Sequence, residues 1–246
     1  MNRLRALLVL LAAPFLTIAC SLAVLVGRGL LRISVVKIQV VPHFWGWLLT
    51  TLSGVTVRVE GLAQLDRTKP YIFVANHQSQ FDIFVLDGFL DRDFRWLAKK
   101  ELFRVPLFGW AMLLAGSIPV DRSHGRQALK SLDEAAKRIA AGASVVIFPE
   151  GTRSPDGRLQ PFKAGGMQLA IKAGVELVPM AITGTHQVLP KGKILVRSGE
   201  VVIRLGEPVD SRAFSSKEKQ ALAELLHEKV AQLLRQDAST GEAQNS

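Results

Sequence analysis

The sequence of 246 residues holds a single cysteine, Cys20, which excludes an internal disulfide and a thiolate metal cluster. Aromatic residues make up only 7% and are rarely interleaved with basic ones, so the stacking platforms that grip single-stranded nucleic acid are missing. No Gly-x-Ser-x-Gly elbow is present, which argues against a serine hydrolase of the α/β type, and no internal repeat is visible. Acidic side chains are outnumbered, 21 against 31 Lys and Arg, and the resulting charge of +10 calls for an anionic partner. No recognised nucleic-acid motif accompanies that excess. The positive mean hydropathy of +0.23 turns the choice toward a membrane.

With 48% hydrophobic residues, the chain can bury one full-sized core beside a membrane segment. Residues 6–27 form a nearly unbroken apolar run without charge, which suits a membrane helix of about 20 residues. A cleaved signal peptide is the alternative, but the run continues past Cys20, beyond the usual length of roughly 7–15 residues. Arg3 and Arg5 precede it and Arg28, Arg32 and Lys37 follow, so charge does not decide orientation, and a helix dipping into one leaflet is a second option. Phe44, Trp45, Trp47, Leu48 and Leu49 form a further patch, suited either to the headgroup interface or to packing on the next domain. His43 is read as an ordinary polar residue there. Residues 1–53 are thus expected to be a membrane-associated helical segment.

From residue 54 onward, short β-rich runs alternate with helical periods. Residues 55–59 alternate like a strand, and Tyr71-Ile72-Phe73-Val74-Ala75 is the continuous apolar run that a sheet buries on both faces. Residues 118–120, 145–148, 177–182 and 201–205 supply more strands. Ala128, Leu132, Ala135, Ala136 and Ile139 keep helical spacing up to a glycine stop at Gly142, and Leu222, Leu226, Val230 and Leu233 trace a helix with Ser215 or Ser216 as its cap. The pattern predicts an α/β fold: a single domain over residues 54–236 with a mixed, largely parallel sheet flanked by helices. Residues 237–246 are expected to be a disordered polar tail.

The buried run ending at Ala75 leads straight into Asn76-His77-Gln78-Ser79-Gln80-Phe81-Asp82. Ser79 and Asp82 have capping-box spacing, so a helix should start there, with His77 in the turn at the carboxyl end of a strand. Across such a turn Asp82 can hold one ring nitrogen of His77 and leave the other as a base. The plainer reading is that Asp82 only caps and His77 only fills the turn. A second buried run ends in Phe148-Pro149-Glu150-Gly151-Thr152-Arg153-Ser154, a tight turn able to offer N–H groups and a guanidinium to a phosphate, or else a solvated surface turn. Gly116-Ser117-Ile118-Pro119-Val120-Asp121-Arg122 and Pro161-Phe162-Lys163-Ala164-Gly165-Gly166 place two more cations after strands or before a helix.

With Val178-Pro179-Met180-Ala181-Ile182, the blocks at 76–82, 116–122 and 148–154, in that order along the chain, resemble the glycerolipid acyltransferases, specifically the 1-acyl-glycerol-3-phosphate acyltransferases, over residues 55–205. The resemblance implies that His77 is the general base and Asp82 its orienting partner. It implies further that Arg122, Glu150, Gly151 and Arg153, with Thr152 in the same turn, bind the glycerophosphate acceptor, that Lys100 and Lys163 add phosphate contacts, and that Pro179 shapes the acyl side. Met180 stands where a smaller aliphatic residue is common. The family works without metal or bound cofactor and takes its acyl group from acyl-CoA or acyl-carrier protein. The expected reaction is transfer to the sn-2 hydroxyl of lysophosphatidic acid, at the cytoplasmic face of a bacterial inner membrane. The rivals are another lysolipid acceptor, such as a lyso-ornithine lipid, or a non-catalytic protein that binds anionic lipid.

Overall fold

The structure, a computed structural model, describes residues 3–121 and 126–243. The apolar amino-terminal run forms α1 (Arg3–Val24), which continues as a π-helical turn over Leu25–Leu30, and is followed by α2 (Val35–Ile38) and α3 (Val40–Leu52). Then come β1 (Val55–Glu60), β2 (Tyr71–Ala75), α4 (Phe81–Phe89), β3 (Phe94–Lys99), α5 (Phe108–Leu114) and β4 (Ile118–Val120). The remainder is α6 (Arg126–Ala140), β5 (Ser144–Ile147), α7 (Gly165–Ala173), β6 (Glu176–Thr183), α8 (Thr185–Val188), β7 (Gly199–Leu205), β8 (Val209–Asp210) and α9 (Lys219–Ala243).

The strands form one sheet in the order β1-β7-β6-β2-β5-β3-β4, with β8 pairing at the end of β6. The five strands from β6 to β4 run parallel, whereas β7 pairs antiparallel with β6 and carries β1 with it. The expected mixed, largely parallel sheet between helices is therefore the observed one. Strand alternation explains its continuous apolar runs. In β2, Tyr71, Phe73 and Ala75 join the core with Phe81, Val85 and Leu86 of α4, while Ile72 and Val74 join the opposite core with α6, α7 and α9.

The amino-terminal helices lie on the α4 face. At the crossing of α3 and α4, a Cβ on Gly46 would come within 2.5 Å of Phe84 O and one on Gly88 within 2.4 Å of Trp47 N, so only glycine permits so close an approach. Trp45 packs edge-on to Phe84 and donates to Thr17 Oγ1 at 3.1 Å, and Arg5 caps the end of α3 through Leu52 O and Thr51 O at 2.7 and 2.9 Å. The patch around Trp45 thus packs on the domain, although Phe44 and Trp47 of the same helix remain exposed. The outer side of α1 presents Leu4, Leu7, Leu8, Leu11, Phe15, Ile18 and Leu22, and residues 3–30 are long and apolar enough to cross a membrane.

Ser215 does cap the carboxy-terminal helical region, through a capping box with Glu218 in a 3-10 turn that leads into α9. That helix runs on to Ala243, well into the stretch expected to be a disordered tail. Residues 237–243 hold no proline, although Gly241 among them is a poor helix former.

Candidate active site

As β2 leaves the sheet, the buried Asn76 side chain replaces its ladder: Oδ1 accepts from Ile182 N at 2.8 Å and Nδ2 donates to Ile182 O at 2.9 Å. The next residue is His77. Its N–H donates to Glu150 Oε1 at 2.9 Å and its carbonyl accepts from Ser154 N at 2.8 Å, so the turn after β5 clasps the turn after β2 from both sides.

Asp82, fully buried in the first turn of α4, lies with Oδ2 at 2.7 Å from His77 Nδ1. The same oxygen accepts from Gln78 N at 2.9 Å and Ser79 N at 3.0 Å. An ionised carboxylate only accepts, so Nδ1 carries the proton and Nε2 keeps the lone pair. The capping box forms in part: Asp82 reaches back to Ser79 N as expected, but Ser79 Oγ accepts from Phe81 N at 3.0 Å, one residue short, and donates to Leu189 O at 2.6 Å.

A feature invisible in the motif spacing is an aromatic stack. The ring of Phe148 lies 4.0 Å from that of His77 at an interplanar angle of 13°, and Trp96 stacks behind Phe148 at 6.1 Å. Trp96 Nε1 donates to Asp87 Oδ1 at 3.0 Å, and burial pushes the Asp87 carboxyl up to about 8. His77, Phe148, Trp96 and Asp87 line one wall of a cavity of about 740 Å³, whose other walls include Val36, Val40, Phe108 and Met112.

The expected binding residues divide. Gly151 sits at φ 77°, where a side chain is strained, and a Cβ there would lie 2.9 Å from Lys163 Nζ, so Lys163 folds over the turn. Thr152 is exposed, and the guanidinium of Arg153 has no hydrogen-bond or ion-pair partner among the described residues. These groups gather at the carboxyl ends of β2 and β5, close to His77. Glu150 is turned toward the backbone of the neighbouring turn. It is 4% exposed, its Oε1 braces the His77 backbone, and burial, with the Asp82 charge adding to it, pushes its carboxyl up to about 7.

Lys100 lies on the same sheet edge but is paired with Asp121 at 2.5 Å, so its charge is already answered. Pro179 shares the face of β6 that carries Leu177 and Ala181, the face under α7 and α9, and does not line the cavity. Met180 is fully buried in the core on the α4 side and does not line it either. Arg122 lies outside the described residues.

A family model described as acyltransferase matches residues 56–183. A 1-acyl-sn-glycerol-3-phosphate acyltransferase of Chlamydomonas reinhardtii is 43% identical over 136 residues, 55% of this chain and 41% of that protein. One from Pseudomonas aeruginosa is 38% identical over 164 residues, 65% of this chain and 62% of that protein. The crystal structure of the 1-acyl-sn-glycerophosphate acyltransferase PlsC from Thermotoga maritima superposes with a TM-score of 0.80 at 31% identity, covering 96% of this chain and 97% of that one. The chain spans 41–60% of the length of the algal and plant relatives that it matches.

Proposed function

This chain belongs to the acyltransferase family, and from that premise we propose that it transfers a fatty acyl group from a thioester to the sn-2 hydroxyl of lysophosphatidic acid, giving phosphatidic acid. The observation that carries the reading is the 2.7 Å contact of His77 Nδ1 with Asp82 at the wall of a largely apolar cavity. His77 Nε2 takes the hydroxyl proton as the acceptor oxygen attacks the thioester carbonyl. A new C–O ester bond forms, the C–S bond breaks, and the proton passes from the imidazolium to the departing thiolate. Asp82 stabilises the imidazolium in between. The cavity beside His77 takes the acyl chain, as its size and lining suit. Arg153, whose guanidinium has no partner among the described residues, and Lys163 meet the acceptor phosphate, with the N–H groups of Thr152 and Arg153 in the same turn.

The donor is acyl-CoA or acyl-carrier protein. Since both are made in the cytosol, the catalytic domain sits on the cytoplasmic face of the inner membrane, with residues 1–53 as its anchor. The names of the relatives, the exposed apolar side of α1 and the net charge of +10 support this reading. The test is purified protein offered lysophosphatidic acid and a lyso-ornithine lipid with each donor type, alongside His77→Ala. Phosphatidic acid should form from lysophosphatidic acid with wild type and not with the variant. Turnover of the lyso-ornithine lipid alone would replace the acceptor assignment, and lipid binding without turnover would replace the enzyme.

A further inference from the structure

The segment between α8 and β7 holds aliphatic side chains in solvent that the acyl-transfer reading does not need. Arg197 N–H donates to Val188 O at 2.8 Å, so the ends of the segment are pinned together and residues 189–196 form a closed loop of the Ω type. Within it, Lys193 N–H closes a turn onto Pro190 O at 3.0 Å, with Gly192 at φ 84°, the left-handed geometry that a type II turn requires at its third position. Directly after this turn Ile194 is 70% exposed and Leu195 42% exposed. Lys191, Lys193 and Arg197 are exposed around them, and residues 189–198 contain no acid.

The loop is tied to the candidate site. Leu189 O accepts from Ser79 Oγ at 2.6 Å, and Lys191 Nζ donates to Arg153 O at 2.7 Å. It also has a defined side: Val188, which precedes it, and Val196, its last residue, belong to the same buried core as Val9 of α1 and Val85 of α4. The loop therefore leaves the domain on the sheet face that α1 and α3 cover.

We propose that this loop is a second membrane-contact element, in which Ile194 and Leu195 enter the headgroup–acyl boundary of an anionic bilayer and Lys193 and Arg197 lie against its phosphates. An exposed aliphatic pair flanked in sequence by exposed cations, in a segment without an acid, matches negatively charged lipid in both its apolar and its charged part. The turn and the pinned ends hold the pair outward without a core of its own, so insertion needs little reordering of the chain. One consequence concerns access. Lys191 links the loop to the Arg153 turn, so inserting the loop sets that turn at headgroup depth, where a lipid acceptor reaches it by lateral diffusion.

The test uses the full chain with Cys20→Ser, so that an introduced cysteine is the only one. Ile194→Cys and, for reference, Glu224→Cys on the exposed side of α9 are labelled with a nitrobenzoxadiazole fluorophore. Each protein is reconstituted into phosphatidylethanolamine–phosphatidylglycerol vesicles containing nitroxide-labelled lipid. The probe at 194 should shift to the blue and be quenched severalfold more than the probe at 224. Water-like emission at both positions would overturn the proposal. So would shielding at 194 that appears without lipid and rises with protein concentration, since the occupant would then be a second copy of the chain. A double variant, Ile194→Asp with Leu195→Asp, should lose rate severalfold on vesicle-embedded lysolipid while keeping it on a short-chain, water-soluble one. Equal rates on both substrates would count against the loop as decisively as a silent probe.

Discussion

The ring of Phe148 lies flat against the imidazole of His77, 4.0 Å between centroids, while Asp82 holds the Nδ1 edge of the same imidazole at 2.7 Å. One contact fixes the plane of the ring and the other fixes its rotation within that plane. Replacing Phe148 with Leu keeps the apolar bulk but removes the flat support. We expect kcat to fall about tenfold with little change in KM, since a loosened base loses near-attack geometry and misplacement by 1 Å costs up to roughly 10²-fold. Steady-state kinetics check this, and a change confined to KM would mean that Phe148 serves substrate binding.

Asp82 does two jobs that one substitution separates. Its Oδ2 organises the turn through Gln78 N and Ser79 N and also faces the histidine. Asp82→Asn preserves an oxygen acceptor for the backbone, so the fold should survive, but a neutral amide does not stabilise the imidazolium. The rate should drop by about 10²–10⁴-fold. Wild-type turnover by Asp82→Asn beside a dead His77→Ala would dissolve the proposed pair.

Glu150 gives the chain a pH signature. Its carboxyl, ordinarily near 4.5, is pushed up to about 7 by burial, so the folded state keeps a proton that the unfolded chain releases. Stability from this group is full below pH 4.5 and declines as the pH rises to about 7. Asp87, pushed from 3.8 up to about 8, adds a decline of the same sign over a wider range. Glu150→Gln should keep the brace on His77 N–H while removing its share of the slope, on the order of 3 kcal/mol at neutral pH. Thermal melts in detergent across pH 4 to 8, roughly the span of the two carboxyls, read this directly. The acceptor KM of this variant should stay near wild type, and a large rise would restore Glu150 to the phosphate site.

The strands that carry the site were legible because they are buried on both faces: Tyr71 to Ala75 reads as a strand whichever side is counted. Strand β3 was not legible. It holds Arg95 and Trp96 in mid-run, and their polar ends are satisfied by Asp93, by Phe94 O and by Asp87, partners that no periodicity announces. The pairing of His77 with Asp82 lies within one turn and could be read from spacing. The clasp of Glu150 on His77 N–H joins positions 73 residues apart, and only the parallel pairing of β2 with β5 brings them together. The face that Pro179 takes was not legible for a related reason. A motif says that a residue lies near the site in sequence, but strand alternation decides which face its side chain takes.

Arg153 is expected to read the acceptor's phosphate, so its loss should weaken acceptor binding and leave the acyl chemistry intact. Its guanidinium has no partner among the described residues, while its carbonyl is held by Lys191 at 2.7 Å, so the backbone is fixed and the charge is available. A charge-assisted hydrogen bond contributes roughly 1.5–3 kcal/mol. Arg153→Ala should therefore raise the acceptor KM by about 10–150-fold, at 1.4 kcal/mol per factor of ten. Arg153→Lys should recover only part of this, because an ammonium does not reproduce the bidentate fork. An acceptor without phosphate provides the control that charge alone does not pass. Wild type should use it poorly, and Arg153→Ala should be no worse on it than wild type. If the variant loses equally on both acceptors, Arg153 supports the turn through its backbone and neighbours, and the phosphate must be met by Lys163 and the N–H groups around Gly151 instead.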